Sequence, residues 1–107
     1  MARTPRMAQI EAMLADDPDD AFLRYGLAME HASGGDDAVC VEVLRDLIAR
    51  TVAIPYIPAF LQVGQALIRL DRIAEASDLL RKGIDAARRG GDDHAQGEMQ
   101  GLLDSIT

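Results

Sequence analysis

The chain has 107 residues, 49% hydrophobic and only 4% aromatic, and 18 acidic against 11 basic side chains give it a formal charge of −7. Its length bounds it to one domain, and its Ala, Leu, Ile, Val and Met content favours helix packed on helix over a β-sandwich. The negative field excludes nucleic acid and anionic membrane as natural partners, and the lone Cys40 excludes an internal disulfide framework or a Cys-based zinc site. No segment approaches the roughly 20 apolar residues of a membrane span. The N-terminus is basic but lacks an apolar run of signal-peptide length, so a cytoplasmic location is expected.

Turn chemistry divides the rest. Breakers at Asp16-Asp17-Pro18-Asp19, Ser33-Gly34-Gly35-Asp36, Ile54-Pro55-Tyr56-Ile57-Pro58, Leu70-Asp71 and Gly90-Gly91-Asp92 leave six segments of helical length. In the first, over 5–15, Met7, Ile10, Met13 and Leu14 form an amphipathic stripe, with Thr4 as cap and Pro5 at the first helical position. The second, from Asp19 to Ala32, carries Phe22, Tyr25, Met29 and Ala32 on one side. Leu23 and Leu27 extend its apolar surface to another, which predicts cover on two faces.

The third segment, from Asp36 to Arg50, contains the strand-like Val39-Cys40-Val41-Glu42-Val43. Leu44, Leu47 and Ile48 continue from Cys40 at helical spacing, however, and Asp36 and Asp37 suit a helix N-terminus, so a helix is predicted. The fourth, from Pro58 to Leu70, places Phe60, Val63, Gly64 and Leu67 as the second placed its apolar set. The fifth, from Arg72 to Arg89, has Ile73, Ala76, Leu80, Ile84 and Ala87, and its end at Arg88-Arg89-Gly90 suits a helix C-terminus. The sixth, from Asp92 to Ile106, shows Ala95, Met99, Leu102, Leu103 and Ile106.

An internal repeat is visible. Phe22-Leu23 and Gly26 pair with Phe60-Leu61 and Gly64 at an offset of 38, whereas Cys40, Leu44, Arg45 and Ile48 pair with Ala76, Leu80, Arg81 and Ile84 at 36. Two extra residues in the first copy, Gly34-Gly35 in its turn, would account for the difference. The small residues suit close approach of two helices.

These residues resemble the tetratricopeptide repeat family. Phe60, Val63, Gly64, Leu67, Ala76 and Leu80 match its spacing, and Phe22, Tyr25, Gly26, Met29, Cys40 and Leu44 match it given the insertion. Ile10, Met13, Leu14 and Pro18 look like the tail of a preceding repeat with its closing proline. Val63, Tyr25, Leu67 and Met29 are not the family's preferred residues, and Arg88 stands where a second closing proline would. The resemblance implies an all-α, right-handed superhelical stack of antiparallel helix pairs, an α-solenoid of about six helices. The expected domain spans 1–107: a leading helix over 5–15, repeats over 19–50 and 56–89, and a capping helix over 92–106.

The resemblance also implies a function. The first helix of each pair would line a concave groove for a peptide or helix of a partner protein, here through Leu23, Leu27, Glu30, His31, Leu61, Gln65, Ile68 and Arg69. That face is mainly apolar with a mixed polar rim, suited to an amphipathic helix. It lacks the Lys/Asn set that clamps a C-terminal carboxylate. The alternative is a self-associating structural protein, a homodimer or an accessory subunit, in which the apolar stripe is covered by a copy of the chain.

Chemistry-bearing residues are few. His94 and Glu98 lie four apart, but Asp92 or Asp93 reads as a helix cap and no second ligand pair is evident, so no metal is expected. Asp16-Asp17-Pro18-Asp19-Asp20 lacks the alternating ligands and closing Glu of a calcium loop. Cys40, which could be paired with His31 as a nucleophile, stands where the repeat needs a small packing residue. No catalytic triad order, phosphate loop or cofactor motif appears, and a non-enzymatic protein without cofactor is expected.

Overall fold

Caps and turns set the helix ends. The structure, a computed structural model, describes residues 3–107; Met1 and Ala2 of the expected domain lie outside the described residues. Its helices are α1 (Pro5–Asp16), α2 (Ala21–Ser33), α3 (Asp37–Arg50), α4 (Ile57–Arg69), α5 (Ile73–Arg89) and α6 (Asp93–Ile106), with no strand among the described residues. The Thr4 hydroxyl accepts from the Met7 N–H at 3.1 Å and starts α1. Carboxylates of Asp20, Asp36 and Asp92 accept from the N–H groups of Leu23, Val39 and Ala95 at 3.0, 3.3 and 3.0 Å. Each satisfies one orphan donor of the first helical turn. The strand-like Val39–Val43 stretch lies wholly inside α3.

Three of the reversals share one backbone design. After α2, N–H groups of Gly34, Gly35 and Asp36 donate to the carbonyls of Glu30, Ala32 and His31. After α4, Leu70, Asp71 and Arg72 donate to Ala66, Ile68 and Leu67; after α5, Gly90, Gly91 and Asp92 donate to Ala86, Arg88 and Ala87. The middle residue of each turn sits in the left-handed region: Gly35 at φ 80°, Asp71 at φ 59° and Gly91 at φ 71°. Glycine adopts that region freely, and aspartate tolerates it better than most other residues.

This geometry corrects the repeat register. Asp71 stands 36 positions after Gly35, and every donor and acceptor of the two turns is displaced by the same amount. The first turn therefore contains no two-residue insertion, and α2 matches α4 at 36 throughout. The counterpart of Gly64 is Ala28, not Gly26, and the counterpart of Phe60 is Arg24, not Phe22. Burial agrees: Phe60 is 7% exposed and Phe22 71%, while Ala28 and Gly64 are both buried.

Packing follows this corrected register. Ala28, Cys40, Leu44, Val63 and Ala76 belong to one buried cluster joining α2 to α5, and Phe60, Leu80, Ile84, Met99 and Leu103 to a second joining α4 to α6. Gly64 lets α5 approach so closely that an added Cβ would lie 2.7 Å from Leu80 Cδ2. Gly83 is tighter still, with Phe60 Cβ at 2.5 Å and Met99 Sδ at 2.6 Å from such an atom. At the corresponding positions of the first repeat, Arg24 replaces Phe60 and Leu47 replaces Gly83, so bulk moves from one helix to the other. Arg24 Nε donates to the Pro18 carbonyl at 2.7 Å and Nη1 to Asp46 at 3.1 Å, which satisfies the guanidinium over its own hydrocarbon stem.

Candidate functional site

Two depressions meet at α2, one running across α4 to α6 and the other toward α1. One, of about 390 Å³, is bounded by Tyr25 of α2, Leu61 and Gln62 of α4, and Ala95, Glu98 and Met99 of α6. The other, of about 380 Å³, is bounded by Phe22, Tyr25, Gly26 and Met29 of α2, together with Arg6 and Glu30. Tyr25 lines both and stacks obliquely on Tyr56, ring centroids 5.4 Å apart. Burial raises the Tyr25 hydroxyl above its ordinary pKa, with the neighbouring Tyr56 adding to the shift and a hydrogen bond with Gln62 opposing it. On the α6 side, His94 Nε2 lies 3.1 Å from Glu98 Oε1. The surface thus offers aromatic and aliphatic contact beside amide, imidazole and carboxylate groups.

The eight residues singled out in the sequence divide by helix. Leu61 lines the first depression, while Gln65 is half-buried. Ile68 packs partly against the first cluster, and Arg69 Nη2 lies 2.9 Å from Asp37 on α3. At an offset of 36 these four correspond to Tyr25, Met29, Ala32 and Ser33. The four chosen on α2, Leu23, Leu27, Glu30 and His31, instead correspond to Ala59, Val63, Ala66 and Leu67, each fully buried in α4. Leu23 lines a groove with Ile10 and Met13 of α1, and Glu30, which also bounds the second depression, forms an ion pair with Arg6 Nε at 3.2 Å. His31 Nδ1 is buried without a hydrogen-bond partner among the described residues.

None of Leu23, Leu27, Glu30 and His31 lines the depression that Leu61 lines, because a register error of two residues turns an α-helix by about 200°. Tyr25 lies there instead, lining a depression with Leu61, and Phe22 and Met29 continue from Tyr25 along α2. A signal for this was present: Gly-Gly-Asp-Asp recurs at 34–37 and 90–93, and each copy forms the same turn.

Cys40 is fully buried, and burial pushes its thiol from an ordinary 9.0 up to about 11, with Asp37 and Asp36 adding to the rise and Arg69 opposing it. A thiol so held is not a nucleophile at neutral pH. Native stability should therefore be unaffected by this group below pH 9 and should fall as pH rises toward 11, because the unfolded thiol ionises first. Tyr25 and Tyr56, also raised by burial, act in the same direction at higher pH. Urea unfolding at pH 7.5 and pH 11 should show a loss on the order of 2 kcal/mol from the thiol. Cys40→Ala, which installs the residue found at position 76, should remove that part of the loss.

Solved structures of similar proteins place this arrangement among known folds. A crystal structure of a tetratricopeptide repeat domain protein from Salinibacter ruber superposes with a TM-score of 0.74 at 28% identity, covering 81% of this chain and 94% of that one. A solution structure of a tetratricopeptide repeat domain protein from the same organism gives 0.73 at 29% identity, covering 83% and 88%. A solution structure of a Bordetella parapertussis protein gives 0.77 at 26% identity over 98% of this chain and 89% of that one. No protein-family model and no curated protein matches the chain. The chain has the all-α, tetratricopeptide-like helical repeat fold. No helix among the described residues is long and apolar enough to cross a membrane.

Proposed function

We propose that this tetratricopeptide-like chain is a non-catalytic, cytoplasmic interaction module that presents a mainly apolar, concave groove to a helix or extended peptide of a partner protein. The observation that carries the reading is the continuity of the two depressions through Tyr25, which joins α2, α4 and α6 into one surface. On α4 the proposed groove starts at Leu61 and Gln62, which line the first depression, and extends over Gln65, Ile68 and Arg69. On α2 the register favours Phe22, Tyr25 and Met29, beside Glu30, over the initially expected Leu23, Leu27 and His31. A partner helix would set its apolar stripe on Tyr25, Met29 and Leu61 and meet Gln62, Arg69 and Glu98 along its polar edges.

The reading is tested by a photo-crosslinking residue placed at Gln65, with Arg81 on the exposed side of α5 as control. Capture of one protein from Gln65 and none from Arg81 is expected. Leu61→Asp should weaken that capture by at least about tenfold, since a carboxylate in an apolar contact loses its hydration. Circular dichroism should show helix content retained. Equal capture from both positions would sink the proposal.

A further inference from the structure

α1 has the pattern of the second helix of a pair, and no helix precedes it among the described residues. Aligned by its end, Asp16 with Arg50, α1 superimposes on α3 in pattern: Arg6, Ile10 and Met13 take the places of Cys40, Leu44 and Leu47. In α3 those three are fully buried; in α5 their counterparts Leu80 and Gly83 close on Gly64 and Phe60 of the preceding helix. In α1 only Ile10 of the three is buried, and no described helix covers the other two. The Arg6 side chain is 75% exposed and Met13 48% exposed, and a groove of about 540 Å³ opens between α1 and α2. Leu23 and Phe22 form its far wall.

The charges of α1 indicate what fills it. Arg6, Gln9, Met13 and Asp16 follow one another at spacings of three, four and three, a single exposed stripe. No acidic residue lies in the first turn and no basic one in the last, so Arg6 and Asp16 oppose the helix's own dipole. Turned end for end about the level of Glu11, the stripe maps Arg6 onto Asp16 and Gln9 onto Met13. An antiparallel copy of α1 therefore sets each Arg6 against the other's Asp16, with Gln9 beside Met13, and reverses both unfavourable dipole contacts.

We propose that the chain forms a two-fold dimer in which α1 of each copy seats antiparallel in the α1–α2 groove of the other. Met13 and Phe22 are covered from both sides, and Arg6 of each copy meets Asp16 of the other. The contact is isologous, so it closes at two. The far end of the stack offers no matching apolar face: α6 turns Gln100 and Asp104, bonded to each other at 2.9 Å, to solvent. The other large exposed apolar residues among those described, Val52 and Ile54 in the α3–α4 loop, carry no comparable charge symmetry. This inference does not rest on the groove along α2, α4 and α6, most of which the dimer leaves open.

Sedimentation equilibrium of the full chain from low to high micromolar concentration should give twice the 11.6 kDa chain mass. Met13→Glu should raise the dimer dissociation constant at least about tenfold without loss of helix, because it sets a carboxylate against the stripe's centre. Asp16→Arg, which sets Arg against Arg6 of the partner, should weaken the dimer by about tenfold, and Arg6→Asp with Asp16→Arg should restore it. Val52→Asp with Ile54→Asp should leave it intact. A wild-type chain that stays monomeric throughout, or a dimer broken by the loop variants and indifferent to the charge swap, overturns the proposal. Crosslinking at Gln65 is read separately, so failure of one does not decide the other.

Discussion

Leu80→Ala should cost the fold about 2–5 kcal/mol, and Gly64→Ala introduced beside it should return part of that loss. Leu80 is fully buried, and its Cγ and Cδ atoms roof the glycine that lets α4 and α5 meet. Removing them leaves a cavity that the close-packed helices cannot collapse. Gly64→Ala alone gains up to about 1 kcal/mol of helix propensity but forces its Cβ to 2.9 Å from Leu80 Cγ, an overlap costing about 1–3 kcal/mol. In the double variant the new methyl occupies space that Leu80 vacated. Urea titration of all four proteins should reveal a favourable coupling of about 0.5–3 kcal/mol. Strict additivity would mean that the two side chains do not share this space.

Four glycines give the second large effect, because one substitution should act with opposite signs. Gly83→Ala should destabilise by about 2 kcal/mol net, since its Cβ would lie 2.5 Å from Phe60 Cβ, an atom held by the α4 backbone. Leu80 can swing a methyl aside; Phe60 Cβ moves only if α4 moves. At Gly97 and Gly101 on α6 a Cβ meets nothing, and each Gly→Ala should stabilise by up to about 1 kcal/mol. Gly26, where the nearest atom is Ile10 Cδ1 at an ordinary 3.7 Å, should behave like these two and unlike Gly64. Thermal melts of these four variants and of Gly64→Ala would settle the register independently: matching destabilisation at Gly26 and Gly64 would restore the 38-residue alignment.

The helices were legible from the residues because local chemistry determines them. Thr4-Pro5, Asp36 and Asp92 are strong starts, and the apolar positions of α5 recur at helical spacing without interruption. Even the β-branched stretch of α3 yields, because Leu44 and Leu47 continue its helical stripe into the core. The register of α2 was hidden for a specific reason. Phe-Leu-x-x-Gly recurs by letter, whereas what the packing conserves is size: Ala28 for Gly64 and the stem of Arg24 for Phe60. Letter identity therefore pointed to Leu23 and Leu27, and the side facing α4's neighbours had to be found from turn geometry. The open groove beside α1 was not legible either, since Met13 sits in the apolar stripe and reads as core, yet it is 48% exposed.

The joint at Gly83 also governs how the molecule moves. Phe60 from α4 and Met99 from α6 both press on the same backbone of α5 at less than ordinary contact distance for any added atom. None of these three helices can withdraw without disturbing the other two, so they open together, at a cost close to that of the whole domain. α1 leans chiefly on α2 and gives way first. The stack is thus graded along its length, and amide exchange should be slowest in the C-terminal three helices and fastest in α1.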